Sequence, residues 1–211
     1  MRIEERKVAV VAACRGKKVL HLGCTDWPFT QDKLNAGELL HSQIAAVSSY
    51  LVGVDISALG IHAMQAHNPA WPLILADACT FRPDECFDVV VASEIIEHLE
   101  NPGQLLRCVS QWASPTTQFI ITTNNAQSLK SALRAVFGRE ECHPDHTVLF
   151  STQTLSQLLS RTGWKVDAVS YYSVPAESHV MRLASGCVRL FSMVASARIR
   201  EGLIVTATLK N

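Results

Sequence analysis

The sequence carries little charge and no surplus of either sign. Only 18% of its 211 residues are Asp, Glu, Lys or Arg, and its 19 acids equal its 19 bases. A general nucleic-acid binder concentrates a basic excess, so this balance argues against that class and against a nucleic-acid partner. A near-neutral chain also has weak electrostatic protection against self-association, which makes a homodimer the expected assembly. Cys-x-x-Cys pairs are missing, and the seven cysteines are odd in number. They read as reduced, mostly buried thiols of a cytoplasmic protein rather than a disulfide framework. The N-terminal stretch MRIEERKVAV has no cleavable apolar core. No apolar run approaches the roughly 18 residues that a transmembrane helix requires. Internal repeats, low-complexity tracts and linkers are absent too, so residues 1–211 are read as one domain.

Hydrophobic residues make up 48% of the chain, enough for a large core, and their order is regular. Short apolar strands are expected at 18–23, 51–55, 72–77, 87–94, 118–125, 164–172 and 202–209. Helical spacing fills the intervals: 2–14, 37–50, 57–67 with Ser57 as cap, 101–113, about 127–137, about 152–162, and an inserted helix near 177–198. Strands alternating with helices in this way predict an α/β fold. Its sheet is doubly wound, mostly parallel, seven-stranded and Rossmann-like, with helices on both faces.

Ligands of such sheets lie beyond the carboxyl ends of the strands, near the point where strand order reverses. Four strand ends bring a turn or a carboxylate to that edge: Gly23-Cys24-Thr25-Asp26, Asp55-Ile56, Asp77-Ala78 and Ser93-Glu94. A dinucleotide site needs several glycines, because pyrophosphate must touch backbone amides. Here Gly23 stands alone and Asp26 would repel a pyrophosphate. Asp55 suits a ribose diol, and Asp77 suits the exocyclic amine of adenine, although each alone could equally be a helix N-cap. A ligand with an adenosine and a cationic amino-acid tail, such as S-adenosylmethionine, meets these requirements.

The motifs VLHLGCTD, LVGVDIS, LILADA and FDVVVASEIIEHLENPGQLL resemble those of class I S-adenosylmethionine-dependent methyltransferases, in particular small ones found with glycan and polysaccharide genes. HPDHTVLFSTQTLSQLLSRTGW resembles the family's lid-like segment, and EGLIVTATLKN its last strand. The resemblance implies transfer of a methyl group from S-adenosylmethionine to an oxygen on a sugar, glycan or other small polar acceptor. A quinone or natural-product acceptor is an alternative, as is an inactive, cofactor-binding partner subunit. It further implies that Gly23, with Thr25 and Asp26, meets the methionine moiety. Asp55 would hold the ribose hydroxyls, Ile56 would pack on adenine, Asp77 and Ala78 would contact the adenine edge, and Ser93 would lie beside the sulfonium. His21 departs from the family's acid, and Thr25 and Trp27 occupy glycine positions, so either Asp26 takes over the contact to the tail's ammonium or cofactor affinity is reduced.

The segment EECHPDH contains His143, Asp145 and His146, expected to be either a solvated loop or the source of a general base. His98 is a further base candidate beside the cofactor cleft. A metal held by Cys142, His143 and His146 ranks behind both, because the spacing fits no standard zinc pattern. Glu97 reads as a helix start with local hydrogen bonds, and Trp27 as a buried packing aromatic. The apolar stripe of 179–199 suggests core packing or a dimer face.

Overall fold

The computed structural model describes residues 2–139, 142–173 and 196–210. Its strands are β1 (Arg2–Ile3), β2 (Lys18–Leu22), β3 (Tyr50–Asp55), β4 (Leu73–Leu75), β5 (Val89–Ser93), β6 (Gln118–Asn124), β7 (Trp164–Tyr172) and β8 (Gly202–Leu209). They form one sheet in the order β1-β7-β8-β6-β5-β2-β3-β4. All neighbours are parallel except β8, which runs antiparallel to both β6 and β7. The seven expected strands are β2 to β8. The helices are α1 (Arg6–Ala13), α2 (Thr30–Asn35), α3 (Leu40–Ala45), α4 (Ala58–His67), α5 (Pro102–Ser110), α6 (Leu129–Val136) and α7 (Thr152–Arg161).

The central strands are apolar on both sides because both faces are covered. In β5, Val89 and Val91 face one apolar cluster, and Val90 and Ala92 face the other. The first cluster takes Val10 from α1, Cys14 just past its end, and Leu40 and Ile44 from α3. The second takes Leu105, Leu106 and Val109 from α5 and Leu155 and Leu159 from α7. Trp164 is fully buried there, and its indole N–H donates to the Leu106 carbonyl at 3.0 Å, so no polar atom is stranded. Local capping chemistry fixes helix starts: the Ser57 hydroxyl accepts from Gly60 N, and Ser151 forms a reciprocal capping box with Thr154.

Three expected boundaries change. Residues 2–14 are not one helix, because Arg2–Ile3 pair with Ser170–Tyr171 as an edge strand and the helix begins at Arg6. The helix expected over 37–50 contracts to α3, since Tyr50 belongs to β3. The stretch WPFTQDKLNAG contains an unanticipated helix, α2, whose Leu34 packs with Ile61 and Met64 of α4. Most of the inserted helix expected near 177–198 falls outside the described residues; Ala197–Ile199 is a single 3-10 turn.

The β2-β3-β4 half of the sheet and the β5-β6 half run outward from the β2/β5 pair. Strand order therefore reverses between the carboxyl ends of β2 and β5, where ligands of such sheets collect.

Candidate active site

Gly23 closes β2 with φ +70°, a conformation that disfavours a side chain. A Cβ there would stand 2.1 Å from Ile95 Cγ2, so the turn after β2 and the turn after β5 touch across the reversal point. Gly23→Ala is expected to lower stability by about 2–4 kcal/mol, combining left-handed strain with overpacking. Thermal unfolding checks this, and a wild-type midpoint would show that the two turns do not approach so closely.

The N–H groups of Gly23 and Cys24 both reach the Val54 carbonyl, at 2.8 and 3.3 Å. Asp55 completes the tie. Its Oδ2 accepts from Thr25 N and its Oδ1 from Ser57 N, both at 2.9 Å. One carboxylate thus fixes the β2 turn and the β3 turn relative to each other, and each oxygen keeps a further lone pair. Thr25 itself is 1% exposed and fills the space above Gly60. Ile56 beside it is 76% exposed, an apolar surface open to solvent at the carboxyl end of β3. At the end of β4, Asp77 is exposed and Ala78 half-buried; Asp77 Oδ1 accepts from Cys79 N at 2.8 Å, which makes a tight local turn.

Asp26, at φ 56°, is ion-paired with Lys33 of α2. Trp27 is 48% exposed, not buried, and Phe29 in the same loop after β2 is 55% exposed. His21 points to the α1/α3 side of the sheet and is buried against His41 of α3. The rings stack at 5.5 Å, with Nδ1 to Nδ1 at 3.3 Å. Burial drives both imidazoles toward the neutral form, His21 down to about 3 and His41 well below its ordinary value.

A polar network surrounds the end of β5. Ser93 is buried and takes a hydrogen bond from Arg6 Nη1 at 3.0 Å. Glu94, held at φ 56°, accepts at Oε1 from Thr122 Oγ1 and Tyr172 OH, both at 2.8 Å, with Arg6 Nη1 at 3.7 Å. Burial first, and then Glu94, raises the Tyr172 phenol well above its ordinary value. Arg6, Thr122 and Tyr172 carry no motif, and Arg6 and Tyr172 lie 87 and 78 positions from their partners; only the folded sheet brings them together.

Glu97 lies in the 3-10 turn Ile96–His98 that follows β5. It is 1% exposed, and neither carboxyl oxygen has a well-formed hydrogen bond among the described residues. It does not make the local helix-start bonds expected of it. Burial, reinforced by Glu94, pushes its pKa up to about 8.

His98, from the same turn, is exposed and meets His143 and His146. Ring centroids stand 4.6 Å apart for His98 and His146, 5.1 Å for His143 and His146, and 6.0 Å for His98 and His143. The loop is fastened to the turn: Thr147 N donates to the Glu97 carbonyl at 2.9 Å and Thr147 Oγ1 to the Leu99 carbonyl at 2.8 Å. The three base candidates, taken from two distant segments, thus form one cluster beside the end of β5. Cys142 is exposed, and among the described residues it is not part of this group.

A family model described as "Methyltransferase domain" matches residues 9–169. The ubiquinone biosynthesis O-methyltransferase of Rattus norvegicus is 29% identical over 170 residues, covering 74% of this chain and 46% of the relative. The chain thus spans about half the length of the curated relatives it matches. Among solved structures, a SAM-dependent methyltransferase from Archaeoglobus fulgidus is 19% identical with TM-score 0.57, covering 96% of this chain and 90% of its own. Magnesium protoporphyrin IX methyltransferase from Synechocystis PCC 6803, solved with bound SAH, is 14% identical with TM-score 0.62, covering 97% and 82%. At these identities the structural likeness establishes the fold.

Proposed function

The chain belongs to the methyltransferase-domain family, and on that premise we propose that it transfers a methyl group from S-adenosylmethionine to a hydroxyl of a small molecule. The observation that carries this reading is the Asp55 carboxylate, fixed by Thr25 N and Ser57 N at the edge of the β2/β5 reversal. Its unused lone pairs suit a ribose diol, and the exposed Ile56 beside it suits a flat base. The exposed Asp77 and adjoining Ala78 suit the far edge of adenine. The Gly23 turn packs on Ile95 of the turn after β5, and an amino-acid tail would lie along this junction, with Ser93 across the reversal point. S-adenosylmethionine supplies an activated methyl group when bound. An ammonium reaching Asp26 must compete with Lys33, so weak cofactor affinity is consistent with this first turn.

The protein's own contribution is positioning and removal of the acceptor proton. His98, His143 and His146 stand beside the end of β5, next to the expected site of the methyl group. We assign the handling of that proton to this cluster. The relatives are named for ubiquinone biosynthesis, which favours a phenolic hydroxyl over the sugar hydroxyl implied by the glycan-type resemblance. A phenol near pKa 10 is also far easier to ionise than an aliphatic alcohol. The altered first turn motivates a second reading, a cofactor-binding subunit without turnover.

The test is calorimetric titration with S-adenosylmethionine and NAD, followed by assay of S-adenosylhomocysteine release with catechol and simple sugars as acceptors. S-adenosylmethionine should bind in the micromolar range and NAD weakly, with catechol supporting release. Binding without release on any acceptor would favour the second reading; absence of binding would refute both.

A further inference from the structure

We propose that Glu94 supplies the anion for the α-ammonium of the cofactor's amino-acid tail, in place of the acid missing at position 21. This role rests on the S-adenosylmethionine reading above and adds the side chain that meets one group of that ligand.

An ammonium withdrawn from water needs a charged acceptor. Five carboxylates stand within four residues of the carboxyl ends of β2 to β5: Asp26, Asp55, Asp77, Glu94 and Glu97. Asp26 is held by Lys33. Asp55 is committed to the N–H groups of Thr25 and Ser57. Asp77 follows the edge strand β4, three strands from β5. Glu97 is 1% exposed. Glu94 remains.

The geometry of Glu94 suits the part. The hydroxyls of Thr122 and Tyr172 fix Oε1, both at 2.8 Å, and among the described residues no hydrogen bond reaches Oε2. Arg6 Nη1 stands 3.7 Å from Oε1, outside hydrogen-bond distance, and donates to Ser93 Oγ at 3.0 Å. The Glu94 side chain keeps 29% exposure, so the carboxylate is open to a ligand. His21 pairs in register with Val91 on the α1 side of the sheet, and Ser93 follows two residues later on that side. Arg6 spans the two positions: it touches Ser93, and its charge, after burial, holds His21 neutral. Glu94 thus returns a carboxylate to the side of the sheet on which His21 offers none. Ile95, next in the chain, packs on Gly23, which sets Glu94 beside the junction of the two turns.

The backbone at Glu94 is strained, with φ 56° in the left-handed region. Its surroundings hold it there. Glu94 N donates to the Thr122 carbonyl at 3.0 Å. A Cβ on Gly202 would collide with the Tyr172 ring, so glycine at that position admits the side chain whose hydroxyl fixes Glu94. Strain maintained in this way marks functional turns.

The experiment is calorimetric titration of wild type and Glu94→Gln with S-adenosylhomocysteine and with its desamino analogue, in which hydrogen replaces the α-amino group. Wild type should bind S-adenosylhomocysteine about 10- to 100-fold more tightly than the analogue. Glu94→Gln should bind the two within about 3-fold of each other, which isolates the ammonium contact from the rest of the ligand. Glutamine keeps Oε1 as an acceptor for Thr122 and Tyr172, and comparing two ligands on one protein is insensitive to any loss of stability. Undiminished discrimination in Glu94→Gln, or discrimination lost in Asp26→Asn instead, would overturn the assignment. A wild type that binds both ligands equally would also overturn it while leaving the cofactor reading in place. A wild type that binds neither would refute the cofactor reading, and this contact with it.

Discussion

Glu97→Gln is expected to make the protein more stable than wild type by about 3 kcal/mol at pH 7, with the advantage shrinking toward zero by about pH 4.5. A carboxyl whose folded pKa is near 8, against 4.5 unfolded, must be protonated to fold at neutral pH. Its stabilising contribution is fully present below the unfolded value and is lost as pH rises toward 8. Glutamine keeps the shape of the neutral acid and carries no such titration. The variant also exposes the opposite trend of the buried histidine pair. His21, held down to about 3, remains neutral in the fold while the unfolded chain takes up protons below about 6.5. From pH 7 to 5 this withdraws about 2 kcal/mol for His21, and His41 acts in the same direction. Glu97→Gln should therefore lose stability on acidification more steeply than wild type, in which Glu97 offsets part of the loss. Urea unfolding of both proteins at pH 5, 7 and 8.5 checks it. Equal stability at pH 7 would mean that Glu97 is ionised and partnered in solution.

Asp55→Ala should weaken S-adenosylmethionine binding by about 10- to 100-fold, as loss of a charged acceptor for a ribose diol removes about 1–3 kcal/mol. It should also lower the unfolding midpoint, because Thr25 N and Ser57 N lose their shared carboxylate. Calorimetry well below the variant's own midpoint separates the two effects. Wild-type affinity in a destabilised variant would mean that Asp55 only ties the two turns together, and the cofactor reading would then lose its main support.

The fold was legible because its signals are local. Apolar runs such as VVVAS in β5 and FIITT in β6 read as buried strands, and Ser57 and Pro102 mark helix starts by their own chemistry. Asp55 and Gly23 were readable for the same reason: a strand end fixes where the next residues must lie. Elsewhere the local signal misled. Arg2–Ile3 has helical surroundings in sequence, yet the open edge of β7 draws it into the sheet. Trp27 has the size of a core residue, but in the loop after β2 it stands about half exposed.

The sequence by itself determined the alternation of strands and helices, the carboxylates at the ends of β3 and β4, and the absence of a pyrophosphate turn, all of which depend on residues adjacent in the chain. Only the tertiary structure decided which side chains share an environment. It set His21 against His41 across β2 and α3, gave Arg6, Thr122 and Tyr172 to the Ser93–Glu94 turn, and stripped Glu97 of water. It also gathered His98, His143 and His146 from two segments into one cluster. Burial and through-space proximity shift charges and create sites, and neither is encoded at any fixed spacing along the chain.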